Sequence, residues 1–218
     1  MNTERPTIWY SRILTSIDVM THIDCVLTTN DQDSRLSYQR AYLEWSPDPS
    51  GNSPISLEFK RSPATIGKTM RDAFKVLNGY VVVSQAFRDV LVSFDLGSTE
   101  LYEVPVFRIG GIKPSKYPPH YLLHVTETKP TLIPEESKNI RRGVRPGETE
   151  PPPNARWRRT YQPDDLAVYV SSAEGVDLWA DPILQGRWFF SDRLKQAIDE
   201  AGIVSKGLDF VQARVFDR

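Results

Sequence analysis

Three groupings in this sequence have residue types and spacing that chemistry could use. The run Ser62-Pro63-Ala64-Thr65-Ile66-Gly67-Lys68-Thr69 follows a strand-like segment and opens a helix-like one, in the outline of a phosphate-binding loop. Serine stands where the first glycine is required, and Pro63 removes an amide from the cradle that would hold the phosphates. The run therefore reads as a loop and helix start. His120 and His124 have the spacing of zinc ligands on a helix. Pro118 and Pro119 before them, and Tyr-Leu-Leu between them, predict a strand instead, which sets the pair about 13 Å apart, too far to share one ion. Cys25 has His22 nearby in sequence, a proximity read as accidental. No Gly-x-Ser-x-Gly elbow is present, and Ser84 and Ser191 are better explained as helix caps. With 28 Asp and Glu residues, abundance singles out none as an acid or base. No catalytic, cofactor-binding or metal-ligating residue is assigned, and enzyme is the weaker class.

Binding chemistry is better represented. Between Lys138 and Tyr161 stand seven Lys/Arg (Lys138, Arg141, Arg142, Arg145, Arg156, Arg158 and Arg159) against Glu148 and Glu150. That local +5 leaves −6 on the rest of a chain whose total is −1. Trp157 and Tyr161 interleave with the arginines, a pairing that suits a protein hot spot or base stacking. The bland reading is a solvated loop. The patch is short and the whole chain is not basic, which favours a protein partner over nucleic acid. A second cluster is Asp177-Leu178-Trp179-Ala180-Asp181-Pro182 with Gly186-Arg187-Trp188. Tryptophans beside a strand are more often core, which leaves Asp177 and Asp181 as the more exposed candidates. The candidate partner-binding residues are Arg156, Trp157, Arg158, Arg159 and Tyr161, with Asp177 and Asp181 second.

These residues must be positioned by the elements around them, and the clearest of those is an echo at a fixed offset of 107. Gly79 falls on Gly186, Ser84 on Ser191, Phe87 on Leu194, Arg88 on Lys195, Leu91 on Ile198 and Leu101 on Leu208. Each copy reads as a short buried strand, a serine cap, an amphipathic helix and a return strand. Residues 7–28 are rich in β-branched and aromatic types and favour strands. Leu36 to Trp45 fits a strand or a short helix, and its aromatics tip it toward strand; Ile55 to Lys60 reads as a half-buried strand and Ile66 to Leu77 as a helix. Leu101 to Ile109, Tyr121 to Thr126, Asp165 to Ser171 and Val176 to Trp179 read as further strands. Residues 134–163 read as a long connection rich in proline and arginine.

Strands outnumber helices and few strand–helix units chain directly, so the fold class is α+β: a mainly antiparallel sheet with a duplicated strand–serine cap–helix–strand unit. Residues 1–54 form a β-rich N-terminal segment, within the same domain or as a lobe of its own, and residues 55–218 an α+β domain. The 39% hydrophobic and 25% charged composition is that of an ordinary globular chain. A single cysteine excludes an intramolecular disulfide and a multi-thiolate metal site. Without an apolar leader or a stretch approaching 18 apolar residues, a soluble cytoplasmic protein is expected.

The stretch GYVVVSQAFRDVL, the strand PHYLLHV and the ending DLWADPILQGRWFFSDRLKQAIDEAGIVSKGLDF are similar to one immunity-protein family of bacterial polymorphic toxin systems, the eleventh in that classification. The shared pattern is a late apolar strand, here Trp188-Phe189-Phe190, then Ser191, a helix running to Ala201-Gly202-Ile203, and a closing Leu208-Asp209-Phe210. The resemblance covers roughly residues 55–212. It implies a small non-enzymatic cytoplasmic binder, without cofactor, whose partner is a cognate toxin. The proline- and arginine-rich segment before the C-terminal block is a departure that a specific partner would explain. The alternatives are an RNA-associated module using the basic loop 138–161 and an uncharacterised hydrolase. The oligomeric state stays open.

Overall fold

The computed structural model describes residues 5–15, 23–27, 32–46, 55–59, 71–76, 79–107, 118–144, 149–160, 164–203 and 208–217. The first part carries strands β1 (Ile8–Ser11), β2 (Ile23–Leu27) and β3 (Ile55–Phe59), with helix α1 (Gln32–Glu44) between the last two. Strands β4 (Ala73–Lys75) and β5 (Val81–Ser84) lead into helix α2 (Gln85–Leu91), then β6 (Glu100–Val104), β7 (Val106–Phe107) and β8 (His120–His124). Four short strands follow: β9 (Ile140–Arg142), β10 (Trp157–Arg159), β11 (Ala167–Tyr169) and β12 (Leu178–Ala180). Strand β13 (Trp188–Ser191) runs into helix α3 (Asp192–Glu200), and β14 (Phe210–Gln212) and β15 (Arg214–Phe216) come after it. The class is α+β, with most strand pairs antiparallel.

Two four-stranded antiparallel sheets share one topology. One runs β4-β5-β8-β6 and the other β12-β13-β1-β14. In each, an edge strand pairs with the strand that feeds a helix. A strand from elsewhere in the chain then separates that feeder from the strand returning after the helix. Ser84 and Ser191 end the feeder strands in extended conformation and accept the amides of Phe87 and Leu194, both at 3.2 Å. Each cap satisfies an amide that the first helical turn leaves without a partner. The helices bury Phe87 with Leu91, and Leu194 with Ile198, at the four-residue spacing of one helical face. Each such side chain contributes about 1.5–3 kcal/mol when fully buried.

The resemblance of the two units extends to their surfaces. The Arg88 guanidinium lies 5.2 Å from the Tyr121 ring centroid, and the Lys195 ammonium 4.8 Å from that of Trp9. Tyr121 donates to Gln85 at 2.6 Å, as Trp9 donates to Asp192 at 2.8 Å. The helices part at their ends. Helix α3 closes with Gly202 at φ 64°, its amide on Asp199 and that of Ile203 on Ile198, the paired bonds of a Schellman stop.

The C-terminal sheet is buried on both faces, and alternation sorts its side chains. Leu178, Ala180, Trp188 and Phe190 face the main core with the helices. Ile8, Tyr10, Trp179 and Phe189 face a second cluster with Leu132, Leu166, Val168 and Leu184. Because Phe189 lies opposite both Tyr10 and Trp179, three rings meet across the sheet, Phe189 stacked on Trp179 at a centroid distance of 5.9 Å and tilted against Tyr10 at 6.3 Å.

Three expectations are corrected. Leu36 to Glu44 is helical, not strand: Tyr38 and Tyr42, four residues apart, share one helical face and bury their rings in the main core, where Trp45, just past the helix end, joins them. Within the expected helix Ile66 to Leu77, residues 73–75 form strand β4, whose Phe74 lies opposite Val82; residues 66–70 and Leu77 lie outside the described residues. The connection 134–163 contains a strand pair, β9 with β10.

Candidate functional site

The two-stranded pair β9–β10 carries the basic segment. Trp157 lies opposite Arg142, Arg158 opposite Arg141 and Arg159 opposite Ile140. Trp157 is half-buried, and with Ile140 it packs on the second core cluster, which fixes that face of the pair inward. The Trp157 amide donates to Ile183 at 2.7 Å, and its carbonyl accepts from Gln185 at 2.8 Å, so the ribbon is stitched to the segment before β13. Arg142 folds back on its own loop, donating to the carbonyls of Pro152 and Pro153. Arg156 reaches across to the end of α1 and donates to the Leu43 carbonyl at 2.9 Å.

Arg158 and Arg141 are thus like charges directly opposite on one face, an arrangement that costs stability. Among the described residues no carboxylate forms an ion pair with Arg141, Arg142, Arg156, Arg158 or Arg159. Lys138, at the edge of the patch, faces Asp165 at 3.9 Å. Two exposed aliphatic side chains, Leu43 at 50% and Ile183 at 44%, lie on the segments that bond to Arg156 and Trp157. Sequence reading missed both, since isolated aliphatic residues carry no signal without the fold.

Beneath this ribbon lies a cavity of about 320 Å³, walled by Leu14, Tyr42, Leu43, Trp45, Arg158 and Arg159. Tyr42 is anchored there: its hydroxyl donates to the Leu123 carbonyl and accepts the Val81 amide, and burial pushes the phenol well above its ordinary pKa. Trp45 follows the last helical residue of α1 with φ at 61°, and the Ser46 amide closes back on Ala41 at 2.9 Å. A bulky residue in this left-handed position is strained by about 1–2 kcal/mol.

The second pair of candidates sits elsewhere. Asp177 and Asp181 were expected to be more exposed than the tryptophans beside them; both are buried, as are Trp179 and Trp188. The reason is that each carboxylate organises a turn. Asp177 accepts from the Asp95 amide, Ser191 Oγ and the Arg193 guanidinium. Asp181 accepts the amides of Thr131, Leu132 and Ile183, each at 2.7 Å.

Tyr161, His22 and the segment 62–69 lie outside the described residues. His120 and His124 are buried on the same face of strand β8, His120 against Phe74 and His124 among Tyr38, Tyr42 and Tyr102. Cys25 is half-buried opposite Leu57. No group of three or more potential metal ligands occurs among the described residues, and none of their helices is long and apolar enough to cross a membrane.

The sequence model of the Immunity protein family (Imm11) matches residues 14–215. The chain belongs to that family. No curated protein matches it. The Imm11 match begins far ahead of the region in which the resemblance was legible, and it takes in β2, α1 and β3. It also runs through the basic ribbon, so this Imm11 chain carries the facing Arg141 and Arg158 within the family region. Family membership assigns a toxin-neutralising role in general terms.

Proposed function

We propose that this protein neutralises a cognate bacterial polymorphic toxin by binding it and covering its active surface, with no chemistry of its own, in the cytoplasm of the cell that makes it. The observation that carries the reading is the face on which Arg158 opposes Arg141 with no ion-paired carboxylate among the described residues, near exposed Leu43 and Ile183. Cations held together at a cost, beside exposed apolar side chains, are the composition of an interface core that an acidic surface would complete. Arg156, Arg158 and Arg159 form this surface, Trp157 anchors it from its inner face, and Tyr161 follows them in sequence outside the described residues. Asp177 and Asp181 act through the turns they hold. The RNA reading is less well supported, because base stacking needs a free ring and Trp157 packs on the second cluster. We also read the matched units as products of an internal duplication, on the strength of their common strand order and caps.

The test is capture of the tagged protein with its native partners after nuclease treatment. A stoichiometric partner encoded beside it, whose toxicity is relieved by co-expression, is the expected result. Only nuclease-sensitive ribonucleoproteins, or no partner at all, would overturn the proposal.

A further inference from the structure

We infer that the cavity under the arginine ribbon is a socket for one inserted acidic and apolar side group of the bound partner: a carboxylate carried on, or next to, an aromatic or aliphatic body. This rests on the toxin-binding reading and names the chemistry that the partner brings.

Three observations converge on the cavity. The first is its shape and lining. At about 320 Å³ it lies near the small end of sites that enclose a ligand, which run about 300–1,000 Å³. Leu14, Tyr42, Leu43 and Trp45 supply an apolar wall that a ring or aliphatic chain would fill.

The second is unmet donor capacity. Trp45 is 6% exposed, and its indole N–H is buried without an acceptor in the protein. Arg158 Nε–H is likewise buried without one, and both side chains line the same cavity. A buried donor left without an acceptor is destabilising, a cost that an entering oxygen removes. Arg159 adds a second guanidinium to the lining. The entering group must therefore be an acceptor, and two cations specify an anionic one.

The third is strain at the same residue. Trp45 holds its place in the wall with a left-handed backbone that a tryptophan rarely adopts. The main core fixes the ring there beside Tyr38 and Tyr42 of α1. The lining also includes Gly79 and Gly186, both at positive φ. At Gly79 a β-carbon would meet nothing within 4 Å, so the space there is open, whereas at Gly186 it would meet the Thr15 methyl at 2.8 Å.

The probe is 3-phenylpropionate, with 3-phenylpropionamide as its neutral twin, titrated into the ¹⁵N-labelled full chain. The indole N–H resonance of Trp45 is assigned through Trp45→Phe and followed together with the amide spectrum. The expected result is a saturable shift of that resonance with the acid, at least tenfold weaker binding of the amide, and loss of the acid's advantage in Arg158→Gln. Arg158→Gln must retain the wild-type amide spectrum, and Arg159→Gln serves in its place if it does not. No saturable shift, equal affinity for acid and amide, or an advantage that survives in the arginine variant would overturn the socket. Toxin capture is scored separately. A partner that binds while the probe fails removes the socket and leaves the immunity reading standing; a probe that binds a protein with no toxin partner does the reverse.

Discussion

Asp177 holds Ser191 at two points: the Ser191 amide donates to the Asp177 carbonyl at 2.9 Å, and the Ser191 hydroxyl donates to the Asp177 carboxylate. The serine that caps α3 is thereby aimed by a residue fourteen positions earlier. In the other sheet Asp72 does the same for Ser84, with amide and hydroxyl contacts both at 2.8 Å. The difference is burial. Asp177 is fully buried and also takes the Asp95 amide and the Arg193 fork, whereas Asp72 is half-buried.

That difference sets an expectation for paired variants. Asp177→Ala takes the acceptor from the part-buried Asp95 amide and Ser191 hydroxyl and from the Arg193 fork, and is expected to cost about 2–4 kcal/mol. Asp72→Ala, whose site water can reach, is expected to cost about 1 kcal/mol. Urea unfolding of both variants decides it, and equal losses would show that burial at Asp177 is not the controlling difference.

A second expectation concerns the ion pair under the segment that leads into β13. Arg187 and Asp164 meet at 2.7 Å with both side chains 1% exposed, and Arg12 approaches the same carboxylate at 3.4 Å. Arg187 also donates to Thr15 and to the Gly186 carbonyl, so it ties the 3₁₀ turn after β1 to the approach of β13. Arg187→Met leaves the buried carboxylate with Arg12 at 3.4 Å as its remaining cation and is expected to cost about 3 kcal/mol. Arg187→Met with Asp164→Leu removes both charges and is expected to cost less than the single change. Thermal or urea unfolding of the two variants measures this; a double variant as damaged as the sum would contradict it.

The pH dependence follows from His120. Burial pushes its pKa below the ordinary histidine value, against the opposing pull of the Pro118 carbonyl and Asp72. Between the lowered native pKa and the ordinary value of about 6.5, the unfolded chain binds more protons than the native one. Stability contributed by the neutral ring is therefore complete above about pH 6.5 and declines as the pH falls below it. In His120→Gln that part of the decline should vanish. Urea midpoints of both proteins from pH 7.5 to 5 test this, and parallel profiles would rule it out.

How much of this was legible in the sequence depended on whether the controlling interaction was local. The caps at Ser84 and Ser191 and the helix faces of Phe87, Leu91, Leu194 and Ile198 were readable, because a cap and a four-residue spacing are properties of neighbours in the chain. Helix α1 was misread because tyrosine and tryptophan favour strands in isolation; only packing on the main core makes Tyr38 and Tyr42 one helical face and brings Trp45, past the helix end, beside them. The burial of Asp177 and Asp181 was hidden for another reason. Their partners Asp95, Thr131 and Leu132 lie 49 to 82 residues away. Of the candidate site, the run Arg156 to Arg159 was visible as charge, but the partner strand at Ile140–Arg142 and the cavity under both exist only in the fold.

The cross-strand arginines make a last expectation, in which stability and binding move in opposite directions. Arg141 is exposed and lies directly opposite Arg158, so in the free protein each raises the other's energy. Arg141→Gln relieves that repulsion and is expected to stabilise the free protein by about 0.2–1 kcal/mol. The same change removes a cation from the proposed toxin-binding face, so association should slow, and its dependence on salt should flatten because steering charge has been lost. Unfolding curves give the first quantity, and stopped-flow association with the captured toxin at low and high salt gives the second. A variant that is stabilised yet associates at the wild-type rate would place the toxin on another face. One that is destabilised would mean that the ribbon needs Arg141 for its own structure.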